Sequence, residues 1–320
     1  LPVISHDDIL TPSTMPEDAA TIKLKDGRIL VQSVDQLKAF INDPWIFGRI
    51  ATNHCLSDIY AMGCKPHSAL AVVGLPFSLK DYGREQLKEL MLSCTETLSE
   101  HNCALVGGHS AETEAIYLGL CVNGFINQEN LLTKGGMQEG DVLILSKPLG
   151  TGTLLAADMR YKASHNWIQS ALENMLLSNR EVAQCFKNNN ATACTDVTGF
   201  GLAGHLMEML SGHNIEVDLY LSDIPALDGA LECLAHKIYS SLHEDNKLIT
   251  NNAFNTETVG YDEKSELLFD PQTAGGLLAS IPAEKAEKCL KELRESGSRG
   301  AKAIGRVTRV GANVPSITLK

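Results

Sequence analysis

The chain has 320 residues, 44% hydrophobic and 21% charged, the balance of a globular protein rather than a disordered or fibrous one, and at this length two domains are expected. Acidic residues outnumber basic ones 39 to 27, giving a net charge of −12, which argues against a protein held on nucleic acid by backbone charge. A nucleotide ligand stays open, because Mg²⁺ bridges carboxylates to phosphates.

The stretch to Pro16 is polar and irregular. Thr21–Leu24 and Ile29–Val34 alternate apolar and polar residues around Asp26-Gly27, the signature of a hairpin. Pro44 opens a helical pattern through Phe47, Ile50, Ala51, Cys55, Ile59 and Met62, which Gly63 ends. Ala69–Leu75 reads as a buried strand. Asp81 to Glu100 reads as an amphipathic helix with Leu87, Leu90, Met91, Cys94 and Leu98 on one stripe, and Ala104–Val106 and Ile116–Ile126 as strands. A second block begins near Gly140. Its expected elements are strand Asp141–Leu145, helix Thr153–Tyr161, helix Ala171–Lys187, helix Ala203–Leu210, strand Ile215–Leu221, strand Gly276–Ile281, helix Ala283–Ser296 and a final strand Ala301–Arg309. Ser240–Glu263, rich in Asn, Asp, Glu and Thr, reads as a long surface loop. The pattern predicts two α/β domains, 1–139 and 140–320, without an internal repeat.

No apolar run approaches the roughly 20 residues that span a bilayer, and no signal peptide is visible. Nine cysteines, an odd number with no CxxC pair, point to reduced, buried thiols in a cytoplasmic protein rather than to a structural zinc site.

The candidate chemistry starts with acids at the edges of apolar elements: Asp18 after Glu17, Asp35 after the strand Ile29–Val34, Asp58 one turn after His54, and Asp196 in Thr195-Asp196-Val197-Thr198. An Asp at a strand end is ordinarily a turn or cap residue. Asp58 is different, because a half-buried helical carboxylate among apolar neighbours needs a cation or a donor. Several such acids converging would hold Mg²⁺, and Mg²⁺ would hold a triphosphate. Val106-Gly107-Gly108-His109-Ser110 reads as a turn whose exposed N–H groups can hold phosphate, or as an ordinary tight turn. Ser146-Lys147-Pro148-Leu149-Gly150-Thr151-Gly152-Thr153 joins a strand to a helix, with Lys147 as a phosphate contact or, by default, a solvated loop cation. Gly199-Phe200-Gly201-Leu202-Ala203-Gly204 matches the GxGxxG dinucleotide fingerprint, with Asp218 downstream. The polar segment Asn188–Thr195 before it does not read as the buried strand that fingerprint needs. His109 and His205 each follow a glycine, a place where packing or hydrogen bonding is the ordinary role.

Taken in order, Glu17-Asp18-Ala19-Ala20, Phe47-Gly48-Arg49-Ile50-Ala51, Leu56-Ser57-Asp58-Ile59-Tyr60-Ala61-Met62-Gly63, Gly107-Gly108-His109-Ser110, Lys147-Pro148-Leu149-Gly150, Thr195–Leu202 and Asp270-Pro271-Gln272-Thr273-Ala274-Gly275-Gly276-Leu277-Leu278 resemble the selenophosphate synthetase (selenide, water dikinase) family. That family belongs to the superfamily of aminoimidazole-ribotide synthetase and thiamine-monophosphate kinase. The resemblance covers nearly the whole chain. It implies a two-domain α/β (α+β) fold whose N-terminal domains, bearing ATP, pair through a shared β-barrel in a homodimer. It implies Asp18, Asp58 and Asp196 as Mg²⁺ ligands, with Asp35 and again Asp58 at the ATP. Gly108, His109 and Ser110 match a turn that reaches the partner subunit's nucleotide, and Met15-Pro16-Glu17 occupy another nucleotide-contacting position. The implied reaction is ATP + selenide + water → selenophosphate + phosphate + AMP.

Two departures stand out. The family carries a glycine-rich loop with a reactive Cys or selenocysteine and a nearby Lys before the Asp18 region, whereas residues 1–16 contain neither Cys nor Lys. The expectation is therefore a nucleotide-binding fragment with impaired catalysis and no catalytic residue of its own. His54 stands where common members carry Asn. With Gln32-Ser33-Val34-Asp35, this spelling resembles forms fused behind a flavin-dependent pyridine-nucleotide oxidoreductase domain, and the first residue, Leu1 rather than Met, fits such a fragment. The alternatives are another superfamily kinase or cyclase, and a non-catalytic nucleotide-binding or dimerisation module. No nucleic-acid or membrane partner is expected.

Overall fold

The computed structural model describes residues 6–11, 17–78, 80–211, 215–255, 263–310 and 316–320, in two units, Leu1–Leu131 and Leu132–Lys320.

In the first unit, β1 (Ala20–Lys23) and β2 (Ile29–Lys38) form the expected hairpin. They are followed by α1 (Pro44–Ala61), β3 (Pro66–Leu75), α2 (Lys80–Glu100), β4 (Ala104–Glu112) and β5 (Tyr117–Ile126). The sheet runs β1-β2-β5-β3-β4, antiparallel except for the β3–β4 pair. Helix α1 starts where its chemistry says. Pro44 needs no N–H partner in the first turn, and the Asp43 side chain accepts the Ile46 N–H at 2.9 Å. The helix is buried almost all round, between the sheet and α2. Gly48 permits that approach, since a Cβ there would lie 2.0 Å from Ser93 Oγ and 2.9 Å from the Leu90 carbonyl oxygen. On the sheet, Val31, Ala69, Ala71, Val73, Leu118, Leu120 and Val122 face the helices and are buried.

Three strands are longer than expected, β3 because it starts at Pro66 rather than Ala69. β2 continues to Lys38 because Gln36–Lys38 pair with Tyr117–Gly119 of β5. β4 continues to Glu112, so Gly107-Gly108-His109-Ser110 is extended backbone and not a turn, paired in parallel with Leu70–Val73. Gly108 is required there, because a Cβ would stand 2.1 Å from the Ala71 carbonyl oxygen.

The second unit contains, in order, β6 (Val142–Leu145), α3 (Thr151–Met159), α4 (His165–Leu176), α5 (Arg180–Asn188), β7 (Ala193–Asp196), α6 (Gly201–Leu210), β8 (Ile215–Leu219), α7 (Ala230–Ala235), α8 (His243–Thr250), β9 (Phe254–Asn255), α9 (Glu263–Glu266), β10 (Leu277–Ile281), α10 (Ala283–Glu295), β11 (Lys302–Val310) and β12 (Ser316–Leu319). The sheet order is β7-β10-β6-β11-β8-β12-β9; β12 is parallel to β8 and β9, and the other pairs are antiparallel.

Four expectations are corrected here. The helix Ala171–Lys187 is two helices, broken at Leu177-Ser178-Asn179: buried Asn179 donates to the Gly275 carbonyl at 2.9 Å and Ser178 Oγ accepts the Arg180 N–H at 3.0 Å. Ser240–Glu263 holds α8 and β9, and its residues 256–262 lie outside the described residues. Ala301–Arg309 is not the last strand, because β12 follows. The polar-looking segment before Asp196 contains β7, buried at all four positions.

Candidate functional site

In the first unit, alternation along β2 turns both Ser33 and Asp35 toward α1, and the helical period turns His54 and Asp58 back toward β2. His54 Nε2 lies 3.6 Å from Asp35 Oδ2, and Ser33 Oγ donates to Asp58 Oδ2. Cys55 Sγ donates to the Asp35 carbonyl at 3.4 Å. Burial pushes the Asp35 carboxyl above its ordinary range, and the adjacent His54 pulls it back. Burial, with the charges of Asp35 and Asp58, pushes the Cys55 thiol well up, so it stays protonated and is no nucleophile. The outcome is two carboxylates on rigid elements, flanked by a hydroxyl and an imidazole. Glu17 and Asp18 are half-buried and lead into β1, whereas Met15 and Pro16 lie outside the described residues.

Gly108, His109 and Ser110 do not join that pair. They line a separate cleft of about 410 Å³ with Ala71, Val73, Leu87, Met91 and Leu105. Three strand spacings, about 14 Å, separate β2 from β4.

In the second unit, Asp196 ends β7 and is buried. Lys147 is not a solvated cation. It is buried, and its Nζ donates to the carbonyls of Leu177 at 2.6 Å and Ala274 at 2.9 Å. Burial pushes its pKa down to about 7, against the attraction of Asp196. The turn after Lys147 does not offer its N–H groups to a phosphate either. Gln272 Oε1 accepts the N–H of Gly150 at 3.0 Å and of Thr151 at 3.2 Å, and Asp270 Oδ2 accepts the N–H of Gly152 at 3.1 Å. The start of α3 is thus closed by side chains of the same unit. Asp270 is buried, which pushes its pKa up to about 7.

The GxGxxG match has no dinucleotide geometry. β7 precedes it but runs antiparallel to β10, its one neighbour in the sheet among the described residues, and that pairing is not the parallel one of a βαβ unit. Its glycines serve packing. Gly201 has φ +68° and lies against the Leu268 carbonyl, and a Cβ on Gly204 would meet Phe200 Cβ at 2.5 Å.

The residues that the sequence shows only as parts of motifs, with no role assigned, are Ser33, Asp270 and Gln272, and the burial of Lys147 is not visible in it. Ser33 had a signal, its place two residues before Asp35 on one strand face. The others have none short of the fold, because it is the fold that brings Asp270 and Gln272 to the start of α3 and the carbonyls of Leu177 and Ala274 to Lys147. The nine cysteines are thiols outside any disulfide among the described residues, eight buried and Cys121 half-buried. No helix among the described residues is long and apolar enough to cross a membrane.

Residues 16–126 match the family model "AIR synthase related protein, N-terminal domain", and residues 138–316 match "AIR synthase related protein, C-terminal domain". The chain is 34% identical over 306 residues to the selenide, water dikinase of Bdellovibrio bacteriovorus, covering 95% of this chain and 86% of that protein. It is 32% identical over 312 residues to the selenide, water dikinase of Clostridioides difficile, covering 95% and 87%. Its fold is similar to the structure titled "AaThiL complexed with AMPPCP and TMP" (TM-score 0.69, 17% identity, 96% of this chain and 88% of that one). It is also similar to hydrogenase maturation protein HypE in complex with ATP (TM-score 0.66, 18% identity, 92% and 81%).

Proposed function

The chain belongs to the selenide, water dikinase family, with the two AIR synthase related domains in order, and on that premise we propose that it converts ATP, selenide and water to selenophosphate, phosphate and AMP. The observation that carries the proposal is sequence identity above 30% to dikinases over 95% of this chain.

Asp18, Asp58 and Asp196 are the proposed Mg²⁺ ligands, and Glu17, Asp35 and Asp58 the proposed ATP contacts. The donor set fits the ion: carboxylate oxygens are hard ligands that suit Mg²⁺, and Asp58 takes a donor hydroxyl from Ser33, as an ionised carboxylate does. Bound there, Mg²⁺ would supply positive charge along the phosphates, the main requirement of phosphoryl transfer. The protein's own part is to hold these oxygens still. Asp58 is set by α1 and Ser33, and Asp35 by β2 and His54.

The proposed homodimer forms through the sheet face turned away from α1. Val34, Leu70 and Val72 are 72%, 42% and 46% exposed there. Val34, Cys121 and Leu70 lie side by side across three strands, and His109 lies beside Val72. An apolar sheet face left open to water is an interaction surface. A second copy laid on it would close a barrel, with Gly108, His109 and Ser110 near the partner's nucleotide.

The test is phosphorus NMR under anaerobic conditions on the purified protein. AMP, phosphate and selenophosphate are expected to appear together, and only when selenide is present. Mg-ATP binding without selenide-dependent AMP would overturn the dikinase reaction in favour of a nucleotide-binding module.

A further inference from the structure

We propose that His205 is a positioning residue whose imidazole, flanked by the ion pair of buried Lys134 with half-buried Glu208, clamps the Thr198 amide and so fixes the backbone that carries Asp196. The proposal rests on the reading of Asp196 as a Mg²⁺ ligand given above. His205 lies on α6 and is 4% exposed. Its Nε2 accepts the Thr198 N–H at 3.1 Å and stands 3.2 Å from Thr198 Oγ1. An imidazole nitrogen that accepts an N–H carries no proton, so the ring proton sits on Nδ1. Nδ1 lies 3.6 Å from Glu208 Oε2, one turn further along α6, and that same oxygen accepts from Lys134 Nζ at 2.8 Å. Lys134 is itself buried, so the carboxylate beside the ring is held by its own counter-charge.

Thr198 is two residues past Asp196, and a nitrogen of His205 lies within 4.8 Å of an Asp196 carboxylate oxygen. The Nε2 lone pair is occupied by Thr198, so the ring acts on Asp196 through the backbone and not as a ligand in its own right. Phe200 completes the clamp, its ring 5.4 Å from the imidazole. A Thr198 amide left without an acceptor would loosen this segment.

The experiment compares His205→Ala, His205→Gln and Glu208→Gln with the parent protein by two readouts. The first is amide hydrogen exchange over residues 196–201 without nucleotide. The second is Mg-ATP affinity by calorimetry. His205→Ala is expected to speed exchange at Thr198 and to weaken Mg-ATP by roughly tenfold each, the scale of one buried hydrogen bond. His205→Gln, whose side-chain oxygen can accept the same N–H, is expected to stay close to the parent in both, and Glu208→Gln to fall between. Unchanged exchange in His205→Ala overturns the clamp. So does a His205→Gln protein as weak in Mg-ATP binding as His205→Ala, which would make the imidazole a direct ligand. If the parent binds no Mg-ATP, the nucleotide reading fails while the exchange data still decide the clamp.

Discussion

Asp270 should leave a signature in the pH dependence of stability. Its carboxyl is fully buried, with Oδ2 accepting the Gly152 N–H at 3.1 Å and Gln272 Nε2 at 3.0 Å. Oδ1 is buried without a hydrogen-bond partner among the described residues. Burial, only partly offset by these bonds, pushes the pKa from 3.8 to about 7. A carboxyl whose folded pKa is raised stays protonated in the native state while the unfolded chain already ionises. Stability therefore falls as pH rises from about 4 to about 7, and the loss is constant above that. At about 1.36 kcal/mol per pH unit, the span is worth roughly 4 kcal/mol. Asp270→Asn removes the titration and keeps a carbonyl oxygen to accept both donors. The variant's advantage should be about 1 kcal/mol near pH 4.5 and grow to roughly 4 kcal/mol at pH 8. Urea unfolding of both proteins at several pH values reads the difference and cancels titrations they share. A difference independent of pH, or a variant less stable than the parent at pH 8, would refute the reasoning.

Further outcomes follow from packing and from the open sheet face. Gly48→Ala should lower stability by roughly 1–3 kcal/mol, because its Cβ would collide with Ser93 and with the Leu90 carbonyl between α1 and α2; thermal unfolding measures it, and a midpoint equal to the parent's would contradict the packing. Val34→Lys combined with Val72→Glu should give a folded monomer by light scattering, with circular dichroism unchanged; a dimer that survives both charges would place the interface elsewhere.

The elements legible in the sequence are those whose signals are local. The first hairpin shows in Asp26-Gly27, α1 in Asp43-Pro44, and α2 in its apolar stripe. Two glycines give β4 the look of ending in a turn, whereas in the fold they extend the strand against Ala71. The break between α4 and α5 depends on the reach of Asn179 to Gly275, which no local pattern encodes. In the candidate site, Asp35 and Asp58 were legible as acids at the edges of apolar elements, and the fold sets them on facing sides of β2 and α1. By sequence alone Lys147 reads as solvated, because lysines in turns usually are. Its burial follows from carbonyls supplied by Leu177 and Ala274, and only the folded chain brings those to it.

The most direct measurement is isothermal titration of ATP with and without Mg²⁺, on the parent protein and on Asp58→Asn and Asp196→Ala. Carboxylates gripping a triphosphate through divalent ions predict heat only when Mg²⁺ is present, and its loss in either variant while the fold persists. Binding of equal strength without Mg²⁺, or undiminished in Asp196→Ala, would contradict it.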